Sequence, residues 1–277
     1  MNGFLTRAAT AVVFVAVMMG GMLYGRTSYL VLFTLISALC TSEFVQVTAA
    51  WRTAPRSIER IDSTLAVVIN VMISLVAALA VMGRVGPEWM LGPALLILLF
   101  PAIELFAPGE RPFVHIGLYV TAVVLIGLPF AGLHLAVMPE GIYRPGVMVA
   151  CIGLVWIYDA TAYVSGSLVG RTPLFKRHSP KKTVEGIVGG AVILVVIGVV
   201  VAPLVAPAVS RWHWLAITLI ISVTAVFGDL IESMLKRSLH IKDTGHIMPG
   251  HGGFLDRFDA FLYSIPFVTA YMVLFVH

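Results

Sequence analysis

Residues 187–209 read IVGGAVILVVIGVVVAPLVAPAV, a run without one charged, amide or hydroxyl side chain. A helix crosses a bilayer core with about 20 apolar residues, so this run is read as one crossing. Working outward, the pattern recurs near 8–25, 28–50, 64–83, 89–107, 114–136, 147–169, 212–235 and 257–276. The breaks carry turn or charge signals, among them Gly25-Arg26-Thr27, Arg84 to Pro87, Pro108 to Pro112 and Pro139-Glu140-Gly141. Composition agrees: 59% of the residues are hydrophobic and 12% charged, whereas soluble domains run near ~45–50% and ~25%. A soluble enzyme, a disordered chain and a disulfide scaffold are excluded. Cys40 and Cys151 both lie inside apolar runs and cannot build a cysteine metal site. The first run lacks a small-x-small cleavage site and a strongly basic start, so it is read as a retained helix. The expected fold is all-α, a polytopic integral membrane helical bundle of about nine transmembrane helices.

The net charge of +4 does not point to nucleic acid in so apolar a chain; basic residues mark the side of each loop. With nine spans, one side holds Arg7, Arg52, Arg56, Arg60, Arg111, Arg171, Lys176, Arg177, Lys181, Lys182, Lys236, Arg237, Lys242 and Arg257. The other holds only Arg26, Arg84, Arg144 and Arg211. The first side is therefore cytoplasmic, with the N-terminus on it and the C-terminus outside. The two longest polar segments, Arg171–Gly186 and Lys236–Asp256, fall on that side. They divide the chain into an N-terminal region of five spans, 1–146, and a catalytic region of four spans with both loops, 147–277.

Carboxylates at membrane depth are costly and face a bundle interior or a wet cavity. Glu43, Glu104, Asp159, Asp229 and Glu232 fall within expected spans, and Asp256 and Asp259 open the ninth. Glu43 and Glu104, each alone in its span, read equally well as paired structural acids. Asp229, Glu232, Ser233 and Lys236 share one helical face at i, i+3, i+4 and i+7. A Glu232–Lys236 pair would account for part of that face but not for Asp229, one turn deeper. Asp256 and Asp259 are also i, i+3, with Lys236, Arg237 and Arg257 at the rim. Oxygen donors without cysteine suit a hard cation such as Mg2+, held by one or two carboxylates and substrate phosphates. The histidines show no zinc spacing, and His115, His134, His213 and His277 are read as bystanders at span ends. His251-Gly252-Gly253, after Lys242-Asp243 and before Asp256-Arg257, reads as a phosphate and metal loop whose glycines let backbone approach a ligand.

Segment 171–186 holds five bases against one acid and could be a lipid anchor. Ser179, Thr183 and the glycines add hydroxyl and backbone donors suited to a polyphosphate beside Lys181 and Lys182. No GxxxxGK[ST] occurs, so a nucleotide is not held by a P-loop. The Gly166/Gly170 and Gly186/Gly190 pairs are read as close helix packing.

Residues 233–259, SMLKRSLHIKDTGHIMPGHGGFLDRFD, resemble the signature of phosphatidate cytidylyltransferases, also called CDP-diacylglycerol synthases. SPKKTVEG at 179–186 and DATAY at 159–163 are similar to the same family. The likeness covers roughly 150–277, and the first five spans match only in hydropathy. Met248 departs from the family's usual Leu, Ile or Phe, a conservative apolar change.

The resemblance implies an integral enzyme of a bacterial cytoplasmic (inner) membrane, its active site facing the cytoplasm. It would convert CTP and phosphatidic acid into CDP-diacylglycerol and pyrophosphate with magnesium, and homodimers are known in the family. By resemblance the metal ligands carry over to Asp229 and Asp256. Ser233, Lys236, Arg237, Arg257 and Asp259 join them in the catalytic set. Ser179, Lys181, Lys182, Thr183, Lys242, His251, Gly252 and Gly253 become the substrate phosphate-binding elements. The chemistry is compatible: the nucleophile is a phosphate monoester, already anionic at neutral pH because its second pKa is about 6. No dedicated base is needed, and no Ser–His pair is seen. A CTP-dependent lipid or polyprenol kinase would share the depth and basic loop but release CDP. A transporter is disfavoured because the acids gather toward one face beside phosphate-suited loops.

Overall fold

The computed structural model describes residues 2–51, 56–107, 110–175, 179–250 and 252–276. Among them are nine helical segments long and apolar enough to cross a membrane, each within a few residues of the run expected from sequence. Among the described residues the architecture is all-α apart from one short hairpin.

The chain forms two compact units, Met1–Gly141 with Ile241–Arg257, and Ile142–His240 with Phe258–His277. The first unit contains α1 (Asn2–Leu23), α2 (Arg26–Thr48), α3 (Arg56–Val81), the short α4 (Leu91–Leu96) and α5 (Leu99–Glu104), α6 (Pro112–Ala122) and α7 (Leu128–Val137). A π-helical stretch, Val123–Gly127, joins α6 to α7 within a single span. Polar side chains lock this bundle from inside. His134 is hydrogen-bonded to Tyr29 Oη at 2.9 Å and to Ser74 Oγ at 3.0 Å. Asn70 donates to Thr41 Oγ1 at 2.7 Å, and Gly127 leaves room for its side chain. His115 Nδ1 lies 3.1 Å from Glu104 Oε1. His115 and His134 are therefore not bystanders: both are fully buried and partnered. An imidazole at bilayer depth needs such partners, because an unsatisfied polar group there is costly. Glu104 follows the structural reading.

The second unit contains α8 (Pro145–Val169), the hairpin β1 (Pro173–Phe175) and β2 (Ser179–Thr183), α9 (Val184–Val200), the short α10 (Ala202–Val205), α11 (Arg211–Ser238) and most of α12 (Leu255–Phe275). Glycines set its helix spacing. A Cβ on Gly186 would lie 2.8 Å from Gly166 Cα, and one on Gly190 would lie 2.9 Å from Ala162 Cα. The small-residue pairs seen in sequence thus bring α8 and α9 into backbone contact, as packing between apolar helices in lipid requires. Gly228 does the same for α11 against α12, where a Cβ would meet Ala260 Cα at 2.8 Å. Thr224 donates to Ser264 Oγ at 2.9 Å across that seam.

Candidate functional site

In the second unit the basic segment becomes an antiparallel hairpin, with Pro173 opposite Thr183 and Phe175 opposite Ser179. Lys176 and Arg177 lie outside the described residues. Thr183 ends β2 and caps α9, its Oγ1 accepting the Gly186 N–H at 3.2 Å. Glu185, in the first turn of α9, receives the backbone N–H groups of Arg171 and Thr172 and the Thr172 hydroxyl at 2.7 Å. Cap and carboxylate together fix the base of the hairpin to the helix start.

So anchored, β2 delivers Lys182 to α11, where its ammonium pairs with the Asp229 carboxylate. Ser233, one turn on, donates to Asp229 Oδ1 at 3.2 Å. Lys236 pairs with Glu232 Oε2 at 2.6 Å, the i, i+4 contact expected of that face. Asp259 lies beside Asp229 and within hydrogen-bonding reach of Glu232. The unit therefore brings Lys182, Asp229, Ser233, Glu232, Lys236 and Asp259 into one polar cluster. Lys181 and Arg237 are exposed.

The first unit contains the second motif loop. Asp256, in the first turn of α12, folds the loop onto itself. Its Oδ2 accepts the Thr244 N–H at 2.8 Å, the Thr244 hydroxyl at 3.0 Å and the Gly253 N–H at 2.9 Å. Met248 donates its N–H to the Gly252 carbonyl at 3.0 Å and closes a tight turn in which Gly250 and Gly252 take φ of 78° and 82°. Both values lie in the left-handed region that favours glycine. The folded loop walls a cavity of about 390 Å3 lined by Arg7, Lys242, Asp243, His246, Gly252 and Arg257, among others. Three permanent cations against one carboxylate make this a setting for a polyanion. Gly253 is buried under the loop, and His251 lies outside the described residues.

Two contributors stand outside the set of site residues expected from sequence. Arg7, from α1, reaches the cavity and packs under Gly250, whose Cβ would meet Arg7 Cγ at 2.8 Å. Glu43, from α2, accepts the Leu255 N–H at 2.8 Å. A lone acid in an apolar span was the available signal for Glu43; nothing local marks Arg7.

Among the described residues, no three His, Cys, Asp or Glu side chains converge into a ready-made metal cage. Magnesium does not require one, since it is commonly held by one or two carboxylates with waters and substrate phosphates. Asp229 already receives a cation, the Lys182 ammonium. Asp256 offers a carboxylate oriented by three loop donors. Each carboxylate by itself is a hard oxygen donor of the kind magnesium accepts.

A model of the cytidylyltransferase family matches residues 5–275. The phosphatidate cytidylyltransferase of Bacillus subtilis is 36% identical over 182 residues, covering 65% of this chain and 66% of the relative. That of Staphylococcus saprophyticus is 40% identical over 120 residues, covering 43% and 46%. That of Staphylococcus aureus (strain COL) is 38% identical over 120 residues, with the same coverage. The chain thus spans just under two thirds of the first relative's length and a little under half of the others'.

Proposed function

We propose, from the premise that this chain belongs to the cytidylyltransferase family, that it transfers CMP from CTP to phosphatidic acid in a bacterial cytoplasmic membrane, giving CDP-diacylglycerol and pyrophosphate. The observation that carries the reading is the basic cavity of the folded motif loop, where Arg7, Lys242 and Arg257 meet. Relatives named phosphatidate cytidylyltransferase support it.

A phosphate monoester oxygen of phosphatidic acid forms the new bond to the α-phosphorus of CTP. The bond from that phosphorus to the β-bridging oxygen breaks, and pyrophosphate leaves with the electron pair. The attacking oxygen is already anionic, so no side chain has to remove a proton. The obstacle is mutual repulsion of two anions, and the chain's part is charge neutralisation and in-line positioning. Arg7, Lys242 and Arg257 are assigned to phosphate oxygens in the cavity. Lys182 and Lys236 are held ready by Asp229 and Glu232 and exchange those carboxylates for phosphate. Asp229 and Asp256 are the carboxylates assigned to magnesium, which when bound neutralises polyphosphate charge and orients the leaving group. The lipid headgroup reaches the polar residues while its tails stay in the bilayer.

The test is the full chain, purified in detergent, with CTP, phosphatidic acid and magnesium. Formation of CDP-diacylglycerol and pyrophosphate is expected. Release of CDP with a phosphorylated lipid, or no turnover, overturns the reading. Topology is tested separately by cysteine labelling in intact vesicles, since both native cysteines are buried. Cysteines replacing the exposed Lys181 and Lys242 should label from the cytoplasmic face, and one replacing Arg84 from the other.

A further inference from the structure

We infer that Glu43 is a positioning residue, the post around which the Gly245–Leu255 loop is wrapped and through which Asp256 is set in place. The inference deepens the proposed transferase reading and relies on it for the activity and magnesium readouts alone. Glu43 is only 3% exposed, and its Oε2 accepts the N–H of Leu255, the first residue of α12, at 2.8 Å. That amide is one of the donors a helix start leaves unsatisfied, and a carboxylate there is favoured by the helix dipole.

The loop's glycines tell the rest. Gly250 and Gly252 have positive φ, so conformation explains them, but Gly245 and Gly253 do not. Their requirement is space. A Cβ on Gly245 would lie 2.5 Å from Glu43 Oε1, and one on Gly253 would lie 2.7 Å from Glu43 Cδ. A Gly245 Cβ would also stand 3.1 Å from Gly253 Cα, so the two backbones close on each other and on the carboxylate. The Gly253 N–H then donates to Asp256 Oδ2 at 2.9 Å. Contact therefore runs from Glu43 through Gly253 to Asp256, and the Leu255 hydrogen bond fixes the residue just before Asp256. A carboxylate from the second span, 212 positions upstream of Leu255, sets the geometry of the motif without touching substrate.

The experiment compares Glu43→Ala, Glu43→Gln, Gly253→Ala and the Glu43→Ala/Gly253→Ala double variant in the full chain. Amide exchange over 241–257 is measured without substrate. A magnesium titration is followed by melting temperature, and kcat and KM for CTP are measured. Glu43→Ala should speed exchange in this loop, raise the magnesium midpoint and lower kcat by about 10–100-fold, the scale of losing a group that orients a ligand. Glu43→Gln retains an acceptor for Leu255 and should recover most of the loss. Gly253→Ala should be damaging alone and add little in the Glu43→Ala background, because contacting residues are non-additive. Unchanged exchange and magnesium midpoint in Glu43→Ala, or equal cost of Gly253→Ala in both backgrounds, overturns the inference. Should Glu43→Ala fail to accumulate, Glu43→Asp withdraws the carboxylate by one methylene and should relieve Gly253→Ala; failure to relieve it also overturns the inference. If the unmutated chain makes no CDP-diacylglycerol, the transferase reading fails, and the exchange data still decide the role of Glu43.

Discussion

The two motif loops solve opposite electrostatic problems. In the 241–257 loop two carboxylates hold backbone: Asp256 grips Thr244 and Gly253, and Glu43, from α2, grips Leu255. Arg7, Lys242 and Arg257 line a cavity together with Asp243. Around the hairpin, acid and base meet directly, Lys182 with Asp229 and Lys236 with Glu232. On the proposed function, the 241–257 loop would be a preformed anion site, whereas the hairpin would be a set of pairs for phosphate or a metal ion to exchange. Preformed sites spend little reorganisation on binding, and paired sites hold their charges in check until the partner arrives.

Neutralising the two aspartates should break that comparison most sharply. Asp229→Asn and Asp256→Asn should each lower CDP-diacylglycerol formation by about 10²–10³-fold, the scale of losing a preorganised charge at a reacting centre. Their stabilities should diverge. Asp256 takes three donors on one oxygen, and hydrogen bonds to a charged group contribute about 1.5–3 kcal/mol each. Asp256→Asn should therefore lower the melting temperature and expose Thr244 and Gly253 to amide exchange. Asp229 pairs with Lys182 where the two side chains are 33% and 26% exposed; such a pair contributes about 0–1 kcal/mol, so Asp229→Asn should melt near the unmutated protein. Equal melting losses would erase the distinction between a loop-building and a cation-receiving carboxylate.

What the sequence made legible follows from range. The nine spans, the α11 face and the small-residue seams repeat within one or two helical turns, and the structure contains all three. The contacts that build the site join residues far apart: Lys182 with Asp229, Arg7 with Gly250, Glu43 with Leu255. No local period encodes such pairings. His134 shows the same limit, since its partners Tyr29 and Ser74 come from other spans. A lone polar residue in an apolar run announces that a partner exists, not which residue it is.

Charge removal among the cations should sharpen the comparison at smaller scale. Lys182→Ala strips Asp229 of its cation as well as removing the phosphate contact proposed for that lysine, so both kcat and the KM for CTP should suffer. Arg7→Ala removes one wall of a cavity that keeps Lys242 and Arg257. It should raise the KM for CTP by about tenfold with little change in kcat, the low end for one charged hydrogen bond. Arg84→Ala, an exposed arginine outside both clusters, serves as the control and should change neither. An Arg7→Ala enzyme indistinguishable from that control would take α1 out of the site.

The smallest effect concerns Thr183, which sits where β2 becomes α9. Sequence alone offers its hydroxyl to a phosphate, but the structure engages it with the Gly186 N–H at 3.2 Å. An N-cap threonine replaced by alanine costs about 1 kcal/mol, a shift of roughly 2–4 °C for a chain of this size class. Thr183→Ala should lower the melting temperature by that amount, and Thr183→Ser, which keeps the cap oxygen, should restore it. Thr183 also fills the space beside Gly170, where a Cβ would lie 2.5 Å from its Oγ1, so valine is a poorer probe than serine. With its oxygen committed to the helix start, Thr183→Ala should leave the KM for CTP within about twofold of the unmutated value, well under the tenfold that 1.4 kcal/mol of lost binding would produce. A larger rise in KM, restored by serine, would make the hairpin base part of a preformed phosphate site and bring the two loops closer in kind.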